Sequence, residues 1–329
     1  MNYYVRKLLF YVVALWTAVT LNFLIPRLMP GNPVDILMAK LQVRGGSVDP
    51  AARRAYELLL GTGGDESLLS QYFAYLGNML TGDFGVSVSV FPAEVSEVIA
   101  SSLPWTIVLV GLATLLSFLL GIALGAIVGW KRGTWLDTLV PATTVLAAVP
   151  YFWLALILAA VFATTLGWFP LSGGYDVTLT PGWNAEFIGS AVYHGILPAL
   201  TIVVSSVGGW LLGMRNMTVS AASEDYVLTA RAKGLRDSRI MIRYAARNAV
   251  LPSVAGFAIS LGFVVSGSII TEQVFSYPGI GSKLLQAVQN NDYALMQGIF
   301  LVITVAVLAA NLAVDLLYGL IDARTRARV

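Results

Sequence analysis

The 329-residue sequence has no cysteine and a single histidine, His194. Disulfides, thiolate catalysis and cysteine metal sites are therefore excluded, and no multi-histidine site can form within the chain. Charge is scarce too. Asp, Glu, Lys and Arg make up 12% of residues, about half of what a soluble domain carries. No loop of the form G-x-x-x-x-G-K-[ST] occurs, so any use of ATP must belong to another chain. A hydrolase working inside a membrane needs an activated nucleophile or paired acids. His194 has no serine signature near it, and the apolar runs hold no acid pair. The chain reads as a non-enzyme.

What the sequence has in abundance is apolar length. Hydrophobic residues are 57% of the chain, and the mean hydropathy is +0.77. A run of ~20 apolar residues is enough to cross the hydrocarbon of a bilayer. Such runs fall at about 8–28, 103–129, 135–166, 195–221, 250–271 and 295–320. The expectation is an all-α, polytopic membrane protein with six transmembrane helices. Arg6 and Lys7 before the first run resemble the start of a signal peptide, but no clear small-residue cleavage site follows. That run reads as a retained helix. Residues 29–102 form a long polar segment, and 167–194, with Gly173-Gly174 and Pro181-Gly182, reads as a loop.

Six spans place both termini on one side. Fourteen Lys and Arg then share a face: Arg6, Lys7, Lys131, Arg132, Arg215, Arg231, Lys233, Arg236, Arg239, Arg243, Arg247, Arg324, Arg326 and Arg328. Five fall on the other: Lys40, Arg44, Arg53, Arg54 and Lys283. The positive-inside rule makes the first face cytoplasmic. The expected organisation is a first helix over 1–28, an extracytoplasmic segment over 29–102, a core over 103–320 containing a cytoplasmic loop at 222–249, and a cytoplasmic tail over 321–329.

That loop is the most charged part of the chain. Ser223 is placed to cap a helix whose first turn holds Asp225, whose last turn holds Arg231 and Lys233, and which Gly234 stops. Acids first, bases last and glycine beyond the end suit the helix dipole and the orphan backbone groups. Asp237 is placed to cap a second helix, with Arg239, Arg243 and Arg247 in one stripe. From physics alone two readings stand: a helix resting on anionic headgroups, or a docking element for a soluble partner, with Gly234 allowing close backbone approach.

The residues Asp225-Tyr226-Val227, Thr229-Ala230-Arg231-Ala232-Lys233-Gly234-Leu235, Arg247-Asn248-Ala249 and Leu251-Pro252 resemble the coupling loop of ABC importer permeases, in its dipeptide/oligopeptide branch. Leu228-Thr229-Ala230 stand where the general signature has Glu-Ala-Ala. Further fragments of the same family pattern are Gly82-Asp83-Phe84-Gly85 with Ser87, Leu103-Pro104 and Leu197-Pro198-Ala199. Glu272 and Phe275, Tyr277-Pro278-Gly279-Ile280-Gly281, Asp292-Tyr293, and Asn311 with Asp315-Leu316-Leu317-Tyr318 and Asp322 complete it. Residues 44–66 match nothing in it, and Ala294 stands where proline is frequent.

The resemblance implies a type I, binding-protein-dependent importer permease of a bacterial or archaeal plasma membrane. Its coupling helix, carrying Asp225, Tyr226, Thr229, Ala230, Arg231, Ala232, Lys233, Gly234 and Leu235, would sit in a groove of a cytoplasmic ATPase. Implied partners are a second permease, two ATPase subunits that bind ATP and magnesium, and an external solute-binding protein, besides lipid. No cofactor or metal is expected in the chain itself, and no nucleic acid. Ser266, Ser268, Glu272, Tyr277, Pro278, Gly279 and Gly281 are outer-gate or pathway candidates. Substrates of the branch are peptides, nickel and oligosaccharides. The run Tyr193-His194, Gly208-Gly209-Trp210 and Gly213-Met214-Arg215-Asn216 is similar to members paired with oligosaccharide-binding proteins.

Outside the resemblance, Gly121, Gly125 and Gly129 recur every four residues and predict close helix packing. Gly208, Gly209 and Gly213 suit either packing or a pathway lining. Asp315, one turn after Asn311, is an acid within a span, a weak case for an ion-driven transporter. Tyr72, Phe73, Tyr75 and Leu76 predict an amphipathic helix in the outer segment, lying on the bilayer or meeting the binding protein.

Overall fold

The computed structural model describes residues 3–43, 49–59, 67–265 and 268–321. Among them there is no strand, only an isolated bridge between Val86 and Glu94. The helices are α1 (Tyr3–Leu28), α2 (Pro33–Val43), α3 (Pro50–Leu59), α4 (Leu68–Thr81), α5 (Val95–Trp130), α6 (Leu139–Ala148), α7 (Tyr151–Leu158) and α8 (Ala185–Ala222). They continue as α9 (Asp225–Ala232), α10 (Asp237–Ile240), α11 (Arg247–Ala249), α12 (Leu251–Val264), α13 (Ile269–Val274), α14 (Ile280–Gln289) and α15 (Tyr293–Ile321).

Among the described residues four helices, within Val5–Leu28, Val95–Trp130, Ala185–Ala222 and Tyr293–Ala313, are long and apolar enough to cross a membrane, and the helices over Asp237–Ala249 and Leu251–Val264, bent by 50° where they meet, qualify only when taken together. The chain is a multi-pass membrane protein. The expected third span, 135–166, is not one helix. It breaks at Val149-Pro150 between α6 and α7, because proline has no N–H to continue the ladder and disfavours the helical region for the residue before it. α7 then runs on as a π-helical stretch, Ala159–Thr165. Two helices start earlier than hydropathy indicates. α5 begins at Val95, and α8 begins at Ala185, within the expected loop, where the Asn184 side chain accepts from the Phe187 N–H at 2.8 Å. A capping side chain of this kind satisfies a backbone donor that the helix itself leaves open. The expected fifth span ends at Val264. Asp315 lies outside the residues whose side chains are described.

The chain forms two compact units. The first holds residues 1–106, 265–269 and 278–329. Its core is Val95, Val98 and Ile99 of α5 with Ile280, Leu284, Ala287, Leu295, Met296 and Ile299 of α14 and α15. Gly298 permits this approach: a methyl there would lie 2.6 Å from Val95 Cγ1. Asp292, wholly buried, accepts from Ser87 Oγ at 2.6 Å, from the Ser89 N–H at 2.7 Å and from the Leu295 N–H at 3.1 Å. It caps α15 and ties down the loop after Gly82-Asp83-Phe84-Gly85. A buried carboxylate is tolerable only when its lone pairs are filled in this way.

The second unit holds residues 107–264 and 270–277. The glycine row of α5 faces α8 here, as the four-residue spacing predicts. A methyl at Gly125 would stand 2.5 Å from the Leu211 carbonyl oxygen, one at Gly129 would stand 2.7 Å from that of Arg215, and one at Gly121 would collide with Trp210 Cβ. Because the opposing atoms include backbone, no rotamer change could make room. Phe118 stacks on Phe257 at 4.3 Å and meets Trp210 edge-on at 5.2 Å. Gly208 packs against Thr143, whereas Gly209 and Gly213 face open space.

Candidate functional site

The charged hairpin α9–α11 is built on a small apolar seat. Val227 and Ala230 of α9, Ile240 of α10, and Ala245 and Ala249 beyond it are buried against Ala126 of α5 and Met214 and Ala221 of α8. Alanines dominate because the hairpin lies close to the ends of both long helices. Trp130, the last residue of α5, joins the pieces. Its indole N–H donates to Asp237 Oδ2 at 2.7 Å, and the Arg231 guanidinium lies 5.1 Å from its ring centroid. A charge-assisted hydrogen bond and a cation–π contact thus fix both α9 and α10 to one side chain.

The local geometry corrects two sequence expectations. Ser223 does not cap α9; its hydroxyl donates to the Ser220 carbonyl and closes α8, and Glu224 occupies the cap position without a side-chain bond. Asp237 is the first residue of α10 rather than its cap, and its carboxylate is taken by Trp130. The stop at Gly234 stands as expected. Gly234 has φ +71°, its N–H donates to the Arg231 carbonyl at 2.9 Å, and the Leu235 N–H donates to Ala230 at 3.3 Å. This is a Schellman ending, in which a left-handed residue lets two trailing N–H groups close the last turn. A methyl at Gly234 would meet nothing within 4 Å. Glycine is required here by the backbone angle, not by a neighbour within the chain.

The sequence-predicted coupling residues therefore divide by face. Asp225, Tyr226, Thr229, Arg231, Ala232, Lys233 and Gly234 are exposed, Leu235 is half-buried, and Ala230 points into the seat. Leu228, at the position of the signature glutamate, is also exposed. Arg239, Arg243 and Arg247 remain exposed, although Met241–Ala246 is π-helical. A π turn is wider than an α turn, so they line one side without the strict four-residue repeat of an α-helical stripe. Trp130 was not legible as part of this site, because its partner Asp237 lies 107 residues away.

The outer-gate candidates fall in both units. In the second, Glu272 is wholly buried and Tyr277 nearly so, with the Tyr277 N–H donating to the Glu272 carbonyl at 2.7 Å. Burial, and then the Glu272 charge, push the Tyr277 phenol above its ordinary range. The neighbouring Thr271 Oγ1 donates to Tyr151 Oη at 2.9 Å, and the Gly173 N–H donates to the Phe275 carbonyl at 2.9 Å. In the first unit, Pro278 and Gly279 lead into α14, whose second residue is the buried Gly281, and the Ile280 N–H donates to buried Thr106 Oγ1 at 2.8 Å. Ser268 is half-buried, and Ser266 lies outside the described residues. His194 Nδ1 donates to its own helix, to the Ser190 carbonyl at 2.8 Å.

Comparison with known proteins gives this arrangement a family. Residues 121–327 match the family described as binding-protein-dependent transport system inner membrane component. The chain is 31% identical over 98% of its length, and 98% of the relative's, to the oligopeptide transport system permease protein AppB of Bacillus subtilis. It is 32% identical to the di/tripeptide transport system permease protein DppB of Pseudomonas aeruginosa, covering 99% of each chain. It is 31% identical to the glutathione transport system permease protein GsiC of Escherichia coli, again over 99% of each. The chain belongs to the binding-protein-dependent transport system inner membrane components, the permeases of ABC importers, on their dipeptide and oligopeptide branch.

Proposed function

We propose that the chain forms half of the translocation pathway of an ATP-driven, binding-protein-dependent importer of short peptides. The observation that carries this is the full-length similarity to three peptide or glutathione permeases, together with a charged helix seated on the ends of two long helices. In this reading the hairpin α9–α11 and both termini are cytoplasmic. The exposed face of α9, from Asp225 to Gly234, sits in a groove of an ATPase subunit. A second permease completes the pathway, and a solute-binding protein delivers the peptide from outside. The chain itself hydrolyses nothing.

The mechanical argument follows from how α9 is held. Its underside is sunk in the alanine seat, and Trp130 ties it to the end of α5. α5 is in turn pressed against α8 along Gly121, Gly125 and Gly129. A displacement of α9 therefore passes into both helices together, instead of being absorbed by a flexible loop. When two ATPases close on ATP, the paired coupling helices approach and the pathway opens outward; release returns it. The buried turn from Glu272 to Gly281 is assigned to the outer gate.

The test is uptake into proteoliposomes that contain this chain, its co-encoded permease and ATPases, with the binding protein added. The proposal expects labelled di- or oligopeptide to accumulate only with ATP. Accumulation of an oligosaccharide in place of peptides would move the substrate assignment. Uptake driven by an ion gradient without ATP would overturn the mechanism.

A further inference from the structure

The helix α4 has three distinct faces, and one of them has no explanation in a transporter viewed as spans and loops. Ser67 caps its start, accepting from the Ser70 N–H at 3.3 Å, and Gly82 in the left-handed region closes its end. Its first face docks on α1. Tyr72 Oη and Thr20 Oγ1 share a hydrogen bond of 2.8 Å, Tyr75 Oη accepts from Asn22 Nδ2 at 3.1 Å, and Gln71 Oε1 accepts from Arg27 Nε at 3.4 Å. The rings of Tyr72 and Tyr75 lie 5.2 and 5.5 Å from that of Phe23. The second face is small and polar: Ser70, Ala74, Asn78 and Thr81. The third is Leu69, Phe73, Leu76 and Leu80, spaced four, three and four residues apart, as one stripe of an α-helix requires. Leu69, Phe73 and Leu80 are 70%, 67% and 84% exposed. The helix contains no charged residue.

We infer that α4 is embedded in the bilayer beside α1, with the Leu69–Phe73–Leu80 stripe against lipid acyl chains. Three observations select lipid over a protein partner. The docking residues Thr20 to Arg27 belong to the last turns of the apolar segment Val5–Leu28, and they cover only about 10 Å of its length at 1.5 Å per residue. A helix packed sideways there, with its axis about 8–10 Å from that of α1, lies at the depth of the acyl–headgroup boundary. Over the same turns α1 itself exposes apolar side chains, Leu21, Leu24, Ile25 and Leu28. Finally, the face that would meet a soluble protein is the polar one, directed away from the stripe. A docked side, an oily side and a wet side are what an interfacial helix needs, and its lack of charge permits deeper seating than a basic amphipathic helix reaches. The helix is thus held rigidly to its span, not laid loosely on the membrane. This inference depends on the membrane assignment and is independent of the ATPase reading.

The cysteine-free sequence provides a direct test. Nitroxide labels are placed on Phe73→Cys, Leu80→Cys, Asn78→Cys and Thr81→Cys in the full-length chain, purified with its co-expressed subunits into nanodiscs of phosphatidylethanolamine and phosphatidylglycerol. Collision rates with molecular oxygen, which concentrates in lipid, are compared with those of a water-soluble nickel chelate. At Phe73 and Leu80 the oxygen rate is expected to exceed the nickel rate several-fold, with the ratio inverted at Asn78 and Thr81. All four sites are solvent- or lipid-exposed, so the labels replace no packed side chain. A high nickel rate at Phe73 and Leu80 overturns the inference in favour of a water-facing helix. Low rates of both probes there overturn it in favour of a protein covering the stripe.

Discussion

Of the short helices outside the long apolar ones, α9 and α4 are opposites. α9 has eight residues, an acid in its first turn, a base in its last and a buried underside of Val227 and Ala230. α4 has fourteen residues, no charge and no buried residue at all, yet it is anchored through three hydrogen bonds and two ring contacts to one neighbour. The first is apolar beneath and polar outside, the pattern of a helix that faces water or a soluble partner. The second is polar on the side bonded to its neighbour and exposes an apolar stripe beside a polar one, the pattern of a helix at the edge of lipid. In a membrane protein the exposed face of a short helix reports its neighbour, and the hidden face reports how firmly it is held.

The contrast can be broken or sharpened by substitution, and the largest effect is expected beneath α9. Gly125→Leu drives a side chain into the Leu211 carbonyl oxygen. Overpacking of this kind costs about 1–3 kcal/mol, and more where backbone must move. The folded, monodisperse fraction on size-exclusion chromatography should collapse, while Gly213→Leu, which faces open space, should retain it. Next, Trp130→Ala removes the donor to Asp237 and the seat of Arg231. A hydrogen bond to a charged group contributes about 2 kcal/mol, so a modest drop in thermal stability is expected with a disproportionate loss of ATP-driven uptake. Equal losses in both would show that Trp130 merely stabilises.

Gly234→Ala strains the left-handed position by about 1 kcal/mol and loosens the end of α9. Uptake should fall while the melting transition stays nearly fixed; a bulkier Gly234→Trp should abolish uptake, and its normal transport would count against the coupling role. Tyr75→Phe, on α4, forfeits one neutral hydrogen bond worth about 1 kcal/mol, and should leave uptake unchanged while increasing the mobility of a label at Phe73. The smallest effect is expected for Arg243→Glu, an exposed change within about 0.5 kcal/mol of neutral for stability. Its readout is retention of ATPase subunits through purification, and unchanged retention would remove the arginine side from the docking surface.

Much of this arrangement was legible in the sequence, and the failures have physical causes. α1, α5, α8 and α15 follow from uncharged length alone. Proline did not discriminate: Pro26, Pro104 and Pro198 lie inside helices, whereas Pro150 stands at a break between two. Proline by itself therefore does not mark where a span breaks. The π-helical stretches at Ala159–Thr165 and Met241–Ala246 left no trace in composition. In the hairpin, Gly234 was readable because the left-handed angle demands a glycine. The cap was misplaced because Ser223 and Asp237 have other partners, one in the preceding turn and one at the end of α5. Likewise Ala230 belongs to the family pattern, but only the fold shows that it faces inward. The amphipathicity around Tyr72 to Leu76 was plain, yet which face met protein was decided by Thr20, Asn22 and Phe23, some fifty residues earlier.

The central claim is that the exposed face of α9 meets an ATPase. It is tested most directly by placing the photoreactive amino acid benzoylphenylalanine at Tyr226 in the co-expressed complex and irradiating native membranes. The account predicts a covalent adduct between this chain and the ATPase subunit, with a yield that changes when ATP is trapped. Adducts with lipid alone would contradict it and return α9 to the membrane surface.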